Sequence, residues 1–495
     1  MAGLGSELGR LFKHSAVYGL SNVLGKAIGF LLIPLYTHYI SPADYGVLEL
    51  LDLSVNVIGM FVGMGLTSAV ARFYYEYKDE GERKRVVGTA LLTLIALAAG
   101  MVLICWPFSK LLAGSVLGDS ALDYYVQLSL VTFALNAVLE IPLTYIRIRE
   151  RSVLYSIVAL SRLACGLSLN IYFIVVLELG ILGILYSGLI TSVIFSVFML
   201  VWCIKEVGIC FDRHLCTAMI FFGAPLILNS FGMFVINFGD RFLLKQTWSI
   251  ESVGVYSLGY KIGMGLISFL IGQPFFMIWS VRRYGLVKEE GGMEKYGQIF
   301  LLYSLLLLSL CLLLTIFSRE MIFLLAPPEY SRACYIVPLV AFGYFFREIS
   351  DFFRGAFMIV NRTSLSGAII LVVMVYCVIN YAIFIPMYGD IGAAFATIST
   401  FIFMAFIHWY YAQKIMPVNY RFDKVVYILL FFMMLGGGAF FIGDGSISVL
   451  SLSVKFLVLV FGIVASFFIA FSKSEREFIW SFISPYFSSK DRIDS

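Results

Sequence analysis

Apolar runs of 20 or more residues recur along almost the whole of this chain, and that feature alone excludes most folds. A run of that length crosses a bilayer core of about 30 Å as a helix. In lipid a backbone must satisfy its own hydrogen bonds, so only helices and closed barrels span it. The runs here are continuous rather than alternating, which points to helices. Spans are placed at about 15–39, 46–71, 86–109, 122–146, 152–176, 181–204, 216–240, 253–280, 297–317, 333–358, 365–387, 391–412, 425–443 and 450–471. The expected fold is an all-α polytopic membrane protein of about 14 transmembrane helices.

Composition agrees with this. Of the 495 residues, 61% are hydrophobic and 13% are charged, whereas soluble domains carry about 25% charged residues. The eight cysteines (Cys105, Cys165, Cys203, Cys210, Cys216, Cys311, Cys334 and Cys377) contain no CxxC pair and mostly lie inside apolar runs, where they read as small buried hydrophobes. With only four histidines, His14, His38, His214 and His408, all near span ends, no metal, cofactor or disulfide framework is expected. The first run follows Lys13 and is too long for a cleaved leader, so it reads as a retained span. Before it, Leu4, Leu8, Leu11 and Phe12 share one face, as in a short interfacial helix.

Charge distribution orients the chain. With the N-terminus in the cytoplasm, 26 Lys and Arg fall on the cytoplasmic side and six (Lys110, Arg241, Lys245, Arg319, Arg332, Lys455) on the other. That asymmetry follows the positive-inside rule and places both termini in the cytoplasm. The six tryptophans, Trp106, Trp202, Trp248, Trp279, Trp409 and Trp480, fall near expected interfaces, where an amphipathic ring is best placed. No connecting loop is long enough for a soluble domain. The basic stretch from Arg72 to Arg85 also carries Glu76, Asp79, Glu80 and Glu82, so it reads as a solvated loop and not a nucleic-acid site.

The chain also repeats itself. SPADYGVLEL after span 1 has its counterpart in SIESVGVYSL after span 7. Arg151-Ser152, Asn170 and Gly183 recur as Arg362-Thr363, Asn380 and Gly392, and Glu140 corresponds to Asp351. Six spans per repeat preserve orientation, so the halves are expected to be related by a pseudo-two-fold along the membrane normal. The divisions are then an N-terminal six-helix lobe at 1–215, a second at 216–413, and two extra helices with a cytoplasmic tail at 414–495.

Ionisable residues inside spans face a cavity or a partner. Lys26 shares a face of span 1 with Asn22 and Gly29. Lys261 lies on span 8, Asp240 and Arg241 end span 7 below Asn229 and Asn237, and Glu49, Asp52 and Asn56 share a face of span 2. Spans 1, 2, 7 and 8 are thus expected to line a central cavity. Lys26, Lys261, Arg241, Asn22 and Asn237 are candidates to bind an anionic substrate, a phosphate above all, and Asp52, Glu49 and Asp240 candidates to couple an ion. The alternative is that each Lys pairs structurally with Glu49, Asp52 or Asp240, and that Arg241 simply sits in water. Glu140 with Arg162, and Arg347, Asp351 and Arg354 at i, i+4 and i+7, read as structural ion pairs. Pro34, Pro142, Pro225 and Pro274 fall inside spans, and Gly59, Gly63 and Gly65 favour close helix packing on span 2 rather than a nucleotide loop.

Three segments carry a family resemblance: SNVLGKAIGFLLIPLYTHYISPADYGVLEL, FGDRFLLKQTWSIESVGVYSLGYKIG and SLSGAIILVVMVYCVINYAIFIPMYGDIGAAFATI. They resemble the Wzx-type polysaccharide and oligosaccharide flippases of the multidrug/oligosaccharidyl-lipid/polysaccharide exporter superfamily, over about residues 10 to 410. The resemblance implies two lobes around a central cavity, no enzymatic activity, and undecaprenyl-pyrophosphate-linked oligosaccharide as substrate. It further implies a place in the bacterial inner membrane, with membrane lipids and the polysaccharide polymerase machinery as partners. A multidrug/cation antiporter of the same fold and a lipid II flippase are the alternatives. A membrane-embedded polymerase or glycosyltransferase would need catalytic groups on a large outer loop, and every outer loop here is short.

Overall fold

The computed structural model describes residues 25, 29–30, 32–63, 65–443, 448–472 and 476. The interfacial helix expected before Lys13, and Asn22 and Lys26 of the first span, lie outside the described residues. Among the described residues every regular element is helical: α1 (32–39), α2 (Pro42–Gly63), α3 (Leu66–Glu76), α4 (Glu80–Cys105), α5 (Ser109–Leu112), α6 (Asp123–Ile148), α7 (Ser152–Ile171), α8 (Gly180–Val207), α9 (Arg213–Phe238), α10 (Asp240–Thr247), α11 (Ile250–Ile267), α12 (Gln273–Leu286), α13 (Gly292–Leu325), α14 (Ala333–Ile359), α15 (Thr363–Ile415), α16 (Phe422–Phe440) and α17 (Val449–Ala470).

Twelve helical segments among these residues are long and apolar enough to cross a membrane. One of them carries two of the expected spans. α15 has 53 residues, and a straight helix of that length would reach about 80 Å, far beyond a bilayer core. It is broken at Gly389, whose φ of 61° and ψ of −132° are open to glycine. Trp248 packs there, and a Cβ on Gly389 would fall 2.8 Å from its ring. Helix starts follow local chemistry. Asp79 caps α4 by accepting from the Glu82 amide at 3.1 Å, and Asp212 caps α9 through the His214 and Leu215 amides.

Two spans expected as single regular helices carry an irregular turn. Span 2 breaks at Gly65, left-handed at φ 63°, separating α2 from α3. Span 8 breaks at a π-helical turn, Ser268–Gly272, which separates α11 from α12. Pro274 follows as the second residue of α12. Pro142, Pro225, Pro338 and Pro386 are carried inside α6, α9, α14 and α15.

The chain forms two compact units. Unit 1 is Met1–Leu258, Leu325–Tyr330 and Ile370–Ala396, and unit 2 is Gly259–Leu324, Ser331–Ile369 and Thr397–Ser495. In unit 1, α6 is the central helix and packs on α2, α4 and α8, with Leu139, Ile146, Val158 and Met199 at the core. α2 also crosses the start of α11 backbone to backbone. A Cβ on Gly46 would overlap the Ile250 carbonyl, and one on Gly254 the Pro42 carbonyl. These two glycines occupy matching places in the repeated segments. Asn170 and Asn380, also matched, each bond the carbonyl one turn back, Gly166 at 2.9 Å and Tyr376 at 2.8 Å.

Unit 2 is cored by stacked aromatic rings. Phe275 lies on Tyr303 at 3.9 Å between centroids, and Trp279 on Phe352 at 5.0 Å. Such pairs add about 0.5–1.5 kcal/mol each beyond their burial. Trp279 is thus a core residue at 3% exposure, enclosed by this stack. Lys455, counted on the non-cytoplasmic side, is buried in α17 and bonds Glu320 of α13 at 2.5 Å. Within unit 2, α17 is therefore held to α13 by a charge pair.

Candidate polar cavity and buried charges

The break at Gly65 opens the polar part of unit 1. A cavity of about 510 Å³ is lined by Gly63, Gly65, Thr67, Ser68, Glu140 and Asn229 among others. A second, of 420 Å³, is lined by Leu32, Glu140, Tyr155, Arg162, Asn170 and Thr191. Glu140 borders both and is exposed. Left-handed Gly65 is what lets α3 turn away from α2, while Gly59 brings α2 close to α6, since a Cβ there would strike the Phe133 ring. Carboxylate, guanidinium, amide and hydroxyl groups converge on space inside a helix bundle, an arrangement suited to a polar ligand.

Glu140 and Arg162 do not form the expected ion pair. Arg162 donates instead to Asn136 Oδ1 at 2.8 Å, and Ser192 donates to the same oxygen at 2.8 Å. Asn136 and Glu140 share a face of α6, one turn apart, so the neutral partner competes for the same guanidinium. The carboxylate is left facing the cavity. Asn136 was not singled out from the sequence, although its i, i+4 relation to Glu140 was visible there.

At the α9–α10 junction, Asp240 and Arg241 are 0% and 1% exposed. Arg241 Nη1 donates to Asp240 Oδ1 at 2.6 Å and to the Asn237 carbonyl at 2.8 Å. Tyr256 donates to Asp240 Oδ2 at 2.5 Å, and the guanidinium lies over the Phe238 and Tyr256 rings at 5.3 and 4.9 Å. Tyr381 closes the site by donating to the Ile236 carbonyl at 2.9 Å. Asn237 donates back to the Met233 carbonyl at 2.6 Å and is buried. Arg241 was expected to face an anionic substrate or water. It is instead enclosed with Asp240, because an unpaired guanidinium could not be taken out of water at this depth of burial.

Of the other candidates, Lys261 is half-buried on α11. Glu49 is buried at 7% exposure, while Asp52 is exposed on α2, its carbonyl accepting from Asn56 at 2.7 Å. In unit 2, the expected ladder on α14 forms in part. Arg354 pairs with Asp351 at 2.9 Å, while the Arg347 guanidinium lies over the Tyr344 ring at 5.1 Å. Between them is a residue that sequence reasoning passed over. Glu348 is 5% exposed, accepting from Ser268 at 2.8 Å and from Tyr303 at 3.0 Å. Two residues on, on the other side of α14, Ser350 Oγ meets His408 Nδ1 at 2.6 Å.

A family model described as "Polysaccharide biosynthesis protein" matches residues 11–273, more than half of the chain. An uncharacterized membrane protein of Haemophilus influenzae is 24% identical over 271 residues, 53% of this chain and 62% of that protein, so the match spans less than two thirds of that relative's length. The probable low-salt glycan biosynthesis flippase Agl15 of Haloferax volcanii is 18% identical over 459 residues, 91% of this chain and 94% of that protein. Among solved structures, the lipid II flippase MurJ in an inward closed conformation matches with a TM-score of 0.71 at 13% identity, covering 96% of this chain and 100% of that one. The fold is therefore that of a polytopic MurJ-like membrane protein.

Proposed function

The chain belongs to the polysaccharide biosynthesis protein family, and on that premise we propose that it is a flippase carrying a lipid-linked oligosaccharide from one membrane leaflet to the other. The observation that carries the reading is the polar cavity of unit 1, where Glu140, Asn229, Ser68 and Thr67 face open space among apolar helices. Sugar hydroxyls are bound by such carboxylate, amide and hydroxyl groups, while the lipid tail needs none of them.

In the finer reading the substrate is an undecaprenyl-pyrophosphate-linked oligosaccharide, moved by alternating access from the inner to the outer leaflet of the bacterial cytoplasmic membrane. Both termini are cytoplasmic. The lobes are residues 1–215 and 216–413, related by a pseudo-two-fold, with 414–495 as an addition. Lys26 and Lys261 hold the diphosphate, one cation from each repeat, and Arg241 serves as a buried structural cation. Such a protein binds and releases its substrate without chemistry on it. The named function of Agl15, and the fold shared with MurJ, support the reading.

The test is made in cells. Lys261→Ala and Lys26→Ala, matched for membrane abundance, are expected to reduce surface polysaccharide about tenfold or more, since losing one charged contact of about 1.5–3 kcal/mol changes affinity by at least that factor. Normal export by both variants would remove the lysines from the substrate site and restore the multidrug/cation antiporter as the reading to pursue.

A further inference from the structure

The bend between α11 and α12 encloses a carboxyl group that the proposed function does not use. The π-helical turn Ser268–Gly272 interrupts the regular hydrogen-bond ladder, and Pro274 follows it. Glu348, from α14, reaches into this turn. Its Oε1 accepts from Ser268 Oγ at 2.8 Å, and its Oε2 accepts from Tyr303 Oη of α13 at 3.0 Å. Gly272 provides the room, since a Cβ there would sit 2.5 Å from Oε2. The residue is 5% exposed. Both donors are neutral hydroxyls, in contrast to the guanidinium and ammonium that neutralise Asp240 and Glu320.

The surrounding groups sharpen the contrast. On α14 itself the nearest charges are Arg347, spread over the Tyr344 ring, and Asp351, which pairs with Arg354. From α11, Tyr260 reaches Tyr344 through a hydroxyl pair at 3.0 Å, and from α13 the facing group is Tyr303. A carboxylate desolvated among hydroxyls is the kind of group that changes its protonation state rather than stay charged.

We infer that Glu348 is a proton-binding site whose occupancy sets the bend between α11 and α12. A hydronium ion gives one proton to a carboxylate oxygen: its own O–H bond breaks to leave water, and the carboxyl O–H is the one bond formed. The ionised carboxylate accepts from both Ser268 and Tyr303 and ties the turn to α14 and α13. The protonated acid has one donor and a reduced acceptor capacity, so one of those two bonds must be given up or reversed. The turn is where such a change is absorbed, because its ladder is already broken. Lys261 lies two helical turns before Ser268 on α11, so the bend re-aims the cation assigned to the diphosphate. That last step rests on the flippase reading, while proton binding and the bend do not.

The experiment uses the full chain in lipid nanodiscs with no glycan substrate. Spin labels carried on unnatural residues at Met264 and Met277, on either side of the turn, report the bend as a distance distribution by pulsed electron paramagnetic resonance. The wild type is expected to shift between two distances along an acid-to-alkaline titration, equally in sodium and in choline buffer. Glu348→Gln is expected to hold one distance at every pH. Tyr303→Phe, which keeps the carboxyl group and removes one donor, is expected to displace the midpoint. A pH-independent distance in the wild type, an unchanged titration in Glu348→Gln, or a shift driven by sodium instead of protons would each overturn the inference. Any of these results would leave the flippase reading standing.

Discussion

At Gly65 the chain bends through a left-handed glycine beside an open cavity, and exposed Glu140 faces that space. Carrying the match of Gly46 with Gly254 forward brings the repeat to the second irregular turn, Ser268–Gly272, where the acid is Glu348, buried at 5% exposure. One bend leaves its carboxylate free to meet a ligand, and the other shuts its carboxylate under two hydroxyls. Since the two acids are not at matching positions (Glu140 aligns with Asp351), the halves have solved the surroundings of their bends with different side chains. The difference teaches that local packing decides whether an acid beside an irregular turn faces open space or is enclosed by hydroxyl donors.

A buried, fully paired acid sets the top of the scale on which this comparison can be broken. Asp240→Asn leaves Arg241 charged and enclosed, and is expected to destabilise the protein by about 3–5 kcal/mol, read as a fall in the thermal unfolding midpoint in detergent. A loss of under a kilocalorie would mean that Arg241 has another escape and that the pair is not structural. Next come the bends themselves. Gly272→Ala places a methyl against the Glu348 carboxylate and displaces it from Ser268 and Tyr303, an expected loss of about 1–3 kcal/mol through unmade buried bonds. Gly65→Ala is strained by its left-handed backbone and is expected to cost about 1–2 kcal/mol. Were Gly272→Ala silent, the carboxyl group would not be held where the comparison requires. The smallest change in stability belongs to Glu140→Gln, within about 0.5 kcal/mol because the group is exposed and unpaired with Arg162. Surface polysaccharide is nonetheless expected to drop several-fold in that variant, and a normal level would remove Glu140 from the ligand-facing side of the comparison.

Much of the fold was legible before any coordinates, because hydrophobicity is written locally. The expected spans 152–176, 181–204 and 333–358 fall on α7 with its terminal turn, α8 and α14 within a few residues. The bends were less legible. Gly63, Gly65 and Pro274 were visible, but whether a glycine is used for packing or for a positive φ depends on what the neighbouring helix leaves open. The site residues divide in the same way. That Asp240, Arg241, Glu140 and Arg162 stand in apolar spans is plain from the sequence, whereas their partners were not. Asn136 took the guanidinium expected to pair with Glu140. Glu348 was overlooked beside the Arg347–Asp351–Arg354 ladder because attention to i, i+4 spacing follows one face, and one residue's step of about 100° puts Glu348 on another.

What the sequence by itself determined is that this chain is a multi-pass helical membrane protein with an internal repeat and a small set of charges inside its spans. Apolar length, repeat spacing and charge position are properties of the chain read along its own axis. Only the tertiary structure decided which of those charges are neutralised, as Lys455 is by Glu320 across 135 residues of sequence, and which are left facing a cavity or a pair of hydroxyls. Ion pairs and buried hydrogen bonds form over about 3 Å, and distances on that scale between different helices are set by packing that no single helix encodes.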